Sequence, residues 1–166
     1  PTGSVPESDY ADVPIGTTIL SAAKVTGKVN SSVNVGTVHA LTAREMADVS
    51  LDGSRSRAEV EPLTYYGVAR VQQEFNKGHQ GLGVLSTYTS RFFKDDRLRL
   101  EMNNNSLFAG VDGWVSLDTN RTWVLTGWGG FSQVRGTRER MLDVQQNSQH
   151  YFQRPDAGHV QIDSSA

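Results

Sequence analysis

The chain has no cysteine, only five prolines in 166 residues, and no apolar run long enough to cross a bilayer as a helix. Without cysteine there is no disulfide framework, thiol nucleophile or thiolate metal site, an absence equally at home in cytosol, periplasm and outer membrane. A dominant charge is missing too. Sixteen basic residues stand against 18 acidic ones, so no basic surface for nucleic acid or an anionic membrane is expected. The sequence also lacks a G-x-S-x-G elbow, an H-E-x-x-H pair and a Walker loop. No catalytic residue, metal or cofactor is therefore expected, although a hydrolase built in the loops stays open. No secretory leader is visible, but the chain starts at a proline and ends Asp-Ser-Ser-Ala, and it reads as a piece of something longer.

What is present is alternation. In LFAGVDGWVSLD (107–118), Leu107, Ala109, Val111, Gly113, Val115 and Leu117 share one face, and Phe108, Gly110, Asp112, Trp114, Ser116 and Asp118 the other. Period two over about twelve residues is a strand roughly twice the usual length. The same pattern recurs at 17–29, 33–46, 63–75, 81–93 and in the run after Thr119-Asn120-Arg121, which gives about six long strands. The first of these sets Ile19, Ala23, Val25 and Val29 against Lys24, Thr26 and Lys28; the third sets Tyr65, Gly67, Ala69, Val71 and Phe75 against Tyr66, Arg70, Gln72 and Glu74. Residues 1–16 read as an irregular lead-in. The stretches 49–62 and 94–106 read as long polar loops, 137–149 as one short helix, and 150–163 as a loop or a further strand.

Short turns of three to five residues thus alternate with connections of about ten or more. A transmembrane β-barrel keeps its short turns at one end and its long loops at the other. The expected fold is all-β: an antiparallel meander over 17–136, forming a partial, open barrel wall. Leu107, Val111, Val115 and Leu117 would then face lipid, while Lys24, Arg70, Gln72, Asp112 and Ser116 face a polar lumen. Tyr65, Phe75, Phe92, Phe93 and Trp123 fall near strand ends, where an aromatic belt belongs. The competing reading is a soluble antiparallel sandwich that binds carbohydrate or another ligand on an aromatic face made of Trp114, Trp128 or Tyr66.

Candidate functional residues are few. Arg70, Asp112, Trp114 and Trp128 would line the lumen, and Arg154 and Asp156 of the peculiar Gln-Arg-Pro-Asp run would clamp a loop or meet another domain. Glu74 or Arg91 are candidate cross-strand partners for Asp112. Asp112 and Asp118 lie about 20 Å apart along one strand, too far for a glycosidase pair. His39 is expected on the lumenal face as an ordinary polar histidine. Asp156, His159 and Asp163 have a spacing that metals accept, but polar loops have it for ordinary reasons. Gly127, Gly129 and Gly130 suggest curvature or close packing.

Four stretches carry a resemblance: TTILSAAKVTGKV (17–29), VGTVHALT (35–42), EVEPLTYYGVARVQQEF (59–75) and HYFQRPDAGHV (150–160). Together, in this order, they resemble the bacterial family called domain of unknown function 5916, an outer-membrane β-barrel, with Ser21 at a position where that family usually has glycine. The resemblance implies an outer-membrane location and an internal slice of a barrel. Its implied partners are lipid, the rest of the barrel and an upstream family 9-like carbohydrate-binding domain. It implies no reaction.

Overall fold

A computed structural model describes residues 3–147, 158, 161 and 162. Among the described residues, nine strands form two antiparallel sheets. The larger contains β2 (Ile19–Lys28), β3 (Val33–Thr42), β6 (Leu63–Phe75), β7 (Gln80–Phe92), β8 (Asn105–Ser116) and β9 (Val124–Arg135), in that spatial order. It is the expected six-strand meander, and among the described residues it is open at both edges: β2 and β9 each have one neighbour there. The smaller sheet has the order β1 (Tyr10–Asp12), β4 (Glu45–Leu51), β5 (Ser54–Glu61). Two α-helices among the described residues, α1 (Asp96–Glu101) and α2 (Arg138–Gln146), follow β7 and β9.

Several expectations need correction. The lead-in is not wholly irregular, because Tyr10–Asp12 pairs with Asp48, Val49 and Ser50. Neither is 49–62 a loop. It holds most of a hairpin turning at Asp52-Gly53, both with positive φ (50° and 72°), the geometry that two-residue hairpins favour. The second long strand ends at Thr42, and Glu45 opens β4 in the other sheet. Within 94–106, Asp95 caps α1 by accepting from the Arg97 amide. The helix near 137–149 is present as α2, capped by the Thr137 hydroxyl.

Register ties each strand's two faces to those of its neighbours. One row crosses all six strands through Lys28, Asn34, Gln72, Gly83, Asp112 and Trp128. The opposite face carries a row of Gly27, Val35, Val71, Val84, Val111 and Gly129. The face partners read for β2, β6 and β8 are therefore brought together in space. On the apolar face the only Asp, Glu, Lys or Arg is Arg135, the last residue of β9. His39 sits on that face, not with Arg70, since it pairs in register with Ala23 and Gly67. There it bridges Thr37 and Tyr65 through hydrogen bonds of 2.6 Å each.

The position of the buried core is unusual. Ala47, Val49, Ala58 and Val60 of the small sheet form it, with Val5 and Ala11 packed against them; Leu98, Met102 and Met141 are buried nearby in and beside the helices. No buried apolar residue belongs to the six-stranded sheet, whose Val25, Val71, Leu82, Val84, Val111, Leu125 and Phe131 are all exposed. Water-soluble sheets bury one face. This one does not.

The short turns share one end. Asn30 Oδ1 accepts from the Ser32 and Val33 amides, an Asx turn between β2 and β3. Asp118 holds the β8–β9 turn by accepting from the Thr122 and Trp123 amides. Arg121 of that turn donates to the Lys77 carbonyl in the β6–β7 turn. The small sheet and both helices belong to the long connections or chain segments at the other end, and form a cap there.

Candidate functional site

The charged face holds four of the six candidate residues, and glycines decide how they sit. Asp112 on β8 is opposite Gly83 on β7, which is opposite Gln72 on β6. A side chain at position 83 would fill the space above β7. With hydrogen there instead, Arg70 reaches across from β6 and grips Asp112 with two bonds of 2.8 Å. A Cβ on Gly83 would lie 2.8 Å from Asp112 Oδ2 and 2.9 Å from Arg70 Nη2. Gln72 accepts weakly from the same guanidinium at 3.5 Å. The partner of Asp112 is thus Arg70, neither Glu74 nor Arg91.

Two residues along, the same device repeats. Trp114 lies over Gly81, where a Cβ would come within 2.1 Å of its ring, and its indole N–H donates to the Gly78 carbonyl at 3.3 Å. Phe108 covers Gly130 on β9 in the same way. Large side chains laid over cross-strand glycines fill the gap the glycine leaves and fix the local twist. Of the three β9 glycines, Gly130 has this packing reason, while Gly127 and Gly129 meet nothing within 4 Å. Trp128, opposite Asp112, is 83% exposed. Asp112, Trp114, Thr126 and Trp128 border a shallow open cavity of about 400 Å³.

Arg70, Asp112, Trp114 and Trp128 therefore form one cluster. Arg154 and Asp156 lie outside the described residues, as do His159 and Asp163. Among the described residues, no three His, Asp or Glu side chains come together as a metal site.

A second polar centre escaped the sequence. Glu59, 1% exposed, is tied to Arg44 and accepts from the backbone amides of Lys94 and Asp95 at 2.8 and 2.6 Å. Arg44 also donates to the Phe92 carbonyl, and Arg97 to the Glu59 carbonyl. This carboxylate fastens the cap to the ends of β3 and β7. Ser4 is fastened nearby by Glu101, which accepts from both its hydroxyl and its amide. Burial pushes the Glu101 carboxyl upward, but the Ser4 bonds and Arg97 outweigh it and hold the group below its ordinary value.

A family model described as Domain of unknown function (DUF5916) matches residues 4–90. The chain belongs to that family. The match takes in the cap hairpin, β2, β3, β6 and most of β7, so Arg70 and Glu59 lie inside it and Asp112, Trp114 and Trp128 beyond it. No curated protein and no solved structure matches the chain.

Proposed function

We propose that the six-stranded sheet is a stretch of bacterial outer-membrane β-barrel wall, with its apolar face toward lipid and its Arg70–Asp112 face toward a polar lumen. The observation that carries this reading is the uncovered apolar face. From Tyr65 to Phe75 on β6 it spans about 33 Å along the strand. At a tilt near 40° this becomes roughly 25 Å, the height of a barrel's apolar band. Tyr65, Tyr88 and Phe92 stand toward one edge of that band and Phe75 toward the other. Strands of 12 and 13 residues in β6 to β9 suit such a crossing. The free edges of β2 and β9 are where the rest of the barrel would pair, since unpaired edges have no place in lipid. On this reading the protein is an anchor or a passage for a small solute, not a catalyst. An upstream carbohydrate-binding domain would make it glycan-associated.

One specific observation favours a second reading, a soluble sheet that binds carbohydrate: exposed Trp128 beside Trp114 offers a stacking surface. Single cysteines decide between them. In the full-length protein, Val111→Cys and Asp112→Cys are probed with a membrane-impermeant thiol reagent after fractionation. Outer-membrane protein labelled at 112 and protected at 111 supports the barrel wall. Soluble protein, or equal labelling at both positions, overturns it.

A further inference from the structure

The cap sheet turns Ala11, Ala47, Val49, Ala58 and Val60 to its core, so the alternate residues face outward. Register sets them in two rows of three. Tyr10, Ser50 and Arg55 make one row across β1, β4 and β5; Asp12, Asp48 and Arg57 make the next. Together they border an open cavity of about 580 Å³, larger than the one beside Trp128 and within the size range of ligand pockets. All the charged groups are within reach of a ligand. Tyr10 is 67% exposed, the Arg57 and Asp48 side chains are 65% and 71% exposed, and Asp12 and Arg55 are exposed too.

Asp12 lies directly opposite Asp48, and like charges opposed across two strands are destabilising. The Arg57 guanidinium, 3.3 Å from Asp48, offsets one of the two carboxylates. The opposition falls on β1, whose three residues give it only three register pairs with β4. Charge alone would keep this edge strand from pairing with other chains. It explains neither carboxylate against carboxylate nor an aromatic ring left open beside them. An ammonium group answers both, since it can lie between the two carboxylates and against the Tyr10 ring. From the midpoint between Asp12 and Asp48, Arg55 stands about one and a half strand spacings across and two residues along, a distance of roughly 10 Å. An extended chain advances about 3.3–3.6 Å per residue, so about three residues span it. We propose that the outer face of the cap binds a short peptide of about three residues by its two free ends. The amino terminus sits between Asp12 and Asp48, the carboxylate takes Arg55, and the chain between them passes over Ser50. The site lies in the cap, so it stands whether or not the six-stranded sheet is a barrel wall.

The test is calorimetric titration of the full-length protein with tri-L-alanine, its N-acetyl form and its carboxamide. Acetylation removes the ammonium charge and amidation the carboxylate. Saturable binding of tri-L-alanine is expected, with both blocked forms at least about tenfold weaker. Arg55→Gln should bring the free peptide to the affinity of the carboxamide. Asp12→Asn should weaken the free peptide by about tenfold. In the unliganded protein that variant should leave the backbone amides of 9–13 at least as protected from hydrogen exchange, because the like-charge opposition is gone. Wild-type protein that shows no saturation at concentrations on the order of 10 mM overturns the proposal, and that result needs no variant to fold. So do equal affinities for the three peptides, or an Asp12→Asn protein with lower protection and unchanged affinity, the mark of a purely structural aspartate.

Discussion

Arg70 and Asp112 meet over a strand that belongs to neither of them: β7 runs between, and Gly83 is the point where they cross it, with both guanidinium–carboxylate bonds at 2.8 Å. The pair is half-exposed, so solvent screens it, and its value lies in joining next-but-one strands more than in raw energy. A double-mutant cycle with Arg70→Gln and Asp112→Asn should give a small favourable coupling, weakened by added salt, in urea unfolding. A coupling indistinguishable from zero would mean that the crossing geometry contributes nothing to the sheet.

The two glycines beneath the cluster should differ. At Gly83 the obstructing atoms are the movable ends of Asp112 and Arg70, and alanine also relieves the entropic weakness of glycine in a strand. Gly83→Ala should therefore fall within about 1 kcal/mol of wild type. At Gly81 the obstruction is the Trp114 ring itself, which must swing away. Gly81→Ala should cost about 1–3 kcal/mol and shift the tryptophan emission, which thermal unfolding and fluorescence will show together. The reverse order of the two variants would contradict the packing described.

Much of this was legible in the chain. Strands of 10 to 13 residues give alternation enough repeats to stand out, and β6 runs from Leu63 to Phe75 as its pattern says. The face shared by Arg70, Gln72 and Asp112 was also readable, because register carries strand parity across the sheet. The cap was not. Ser-Arg-Ser-Arg opens β5 with polar residues on both faces, and Glu59 and Glu61 are buried where a pattern reader expects solvent. β1 has three residues and α1 six, too few for any period. The polarity of His39 suggests the charged face, whereas parity counted from Val35 puts it among the valines. Gly81 and Gly83 carry a signal of their own: glycine twice in succession in the phase of the Asp112 face.

Glu59 should separate cap from sheet. Glu59→Leu fills similar volume but strips Arg44 of its carboxylate, leaving it the Phe92 carbonyl, and leaves the Lys94 and Asp95 amides without an acceptor. Orphaned groups of this kind cost about 1–3 kcal/mol each, so a loss near 3 kcal/mol in cap stability is expected, and Glu59→Gln should lose less. Limited proteolysis will read this as early cleavage within 93–104 while strand circular dichroism persists. Simultaneous loss of both signals would show that cap and sheet unfold as one unit.

The last prediction concerns acid. Because Glu101 is held below its ordinary value, its charged form is stabilised by folding, and that contribution is fully present above the unfolded value of roughly 4.3. As pH falls through the lowered folded value the carboxylate takes up a proton, and it then offers Ser4 and Arg97 a weaker acceptor. Below about pH 4 the segment around Ser4 should therefore exchange its amide hydrogens faster, after correction for intrinsic rates, than it does at pH 6. The effect is modest, since the group is partly solvated. Glu101→Gln removes the titration but keeps an acceptor, so its protection over 3–9 should be lower at pH 6 and flat with pH. A variant that kept the wild-type acid dependence would move the proton from Glu101 to another group.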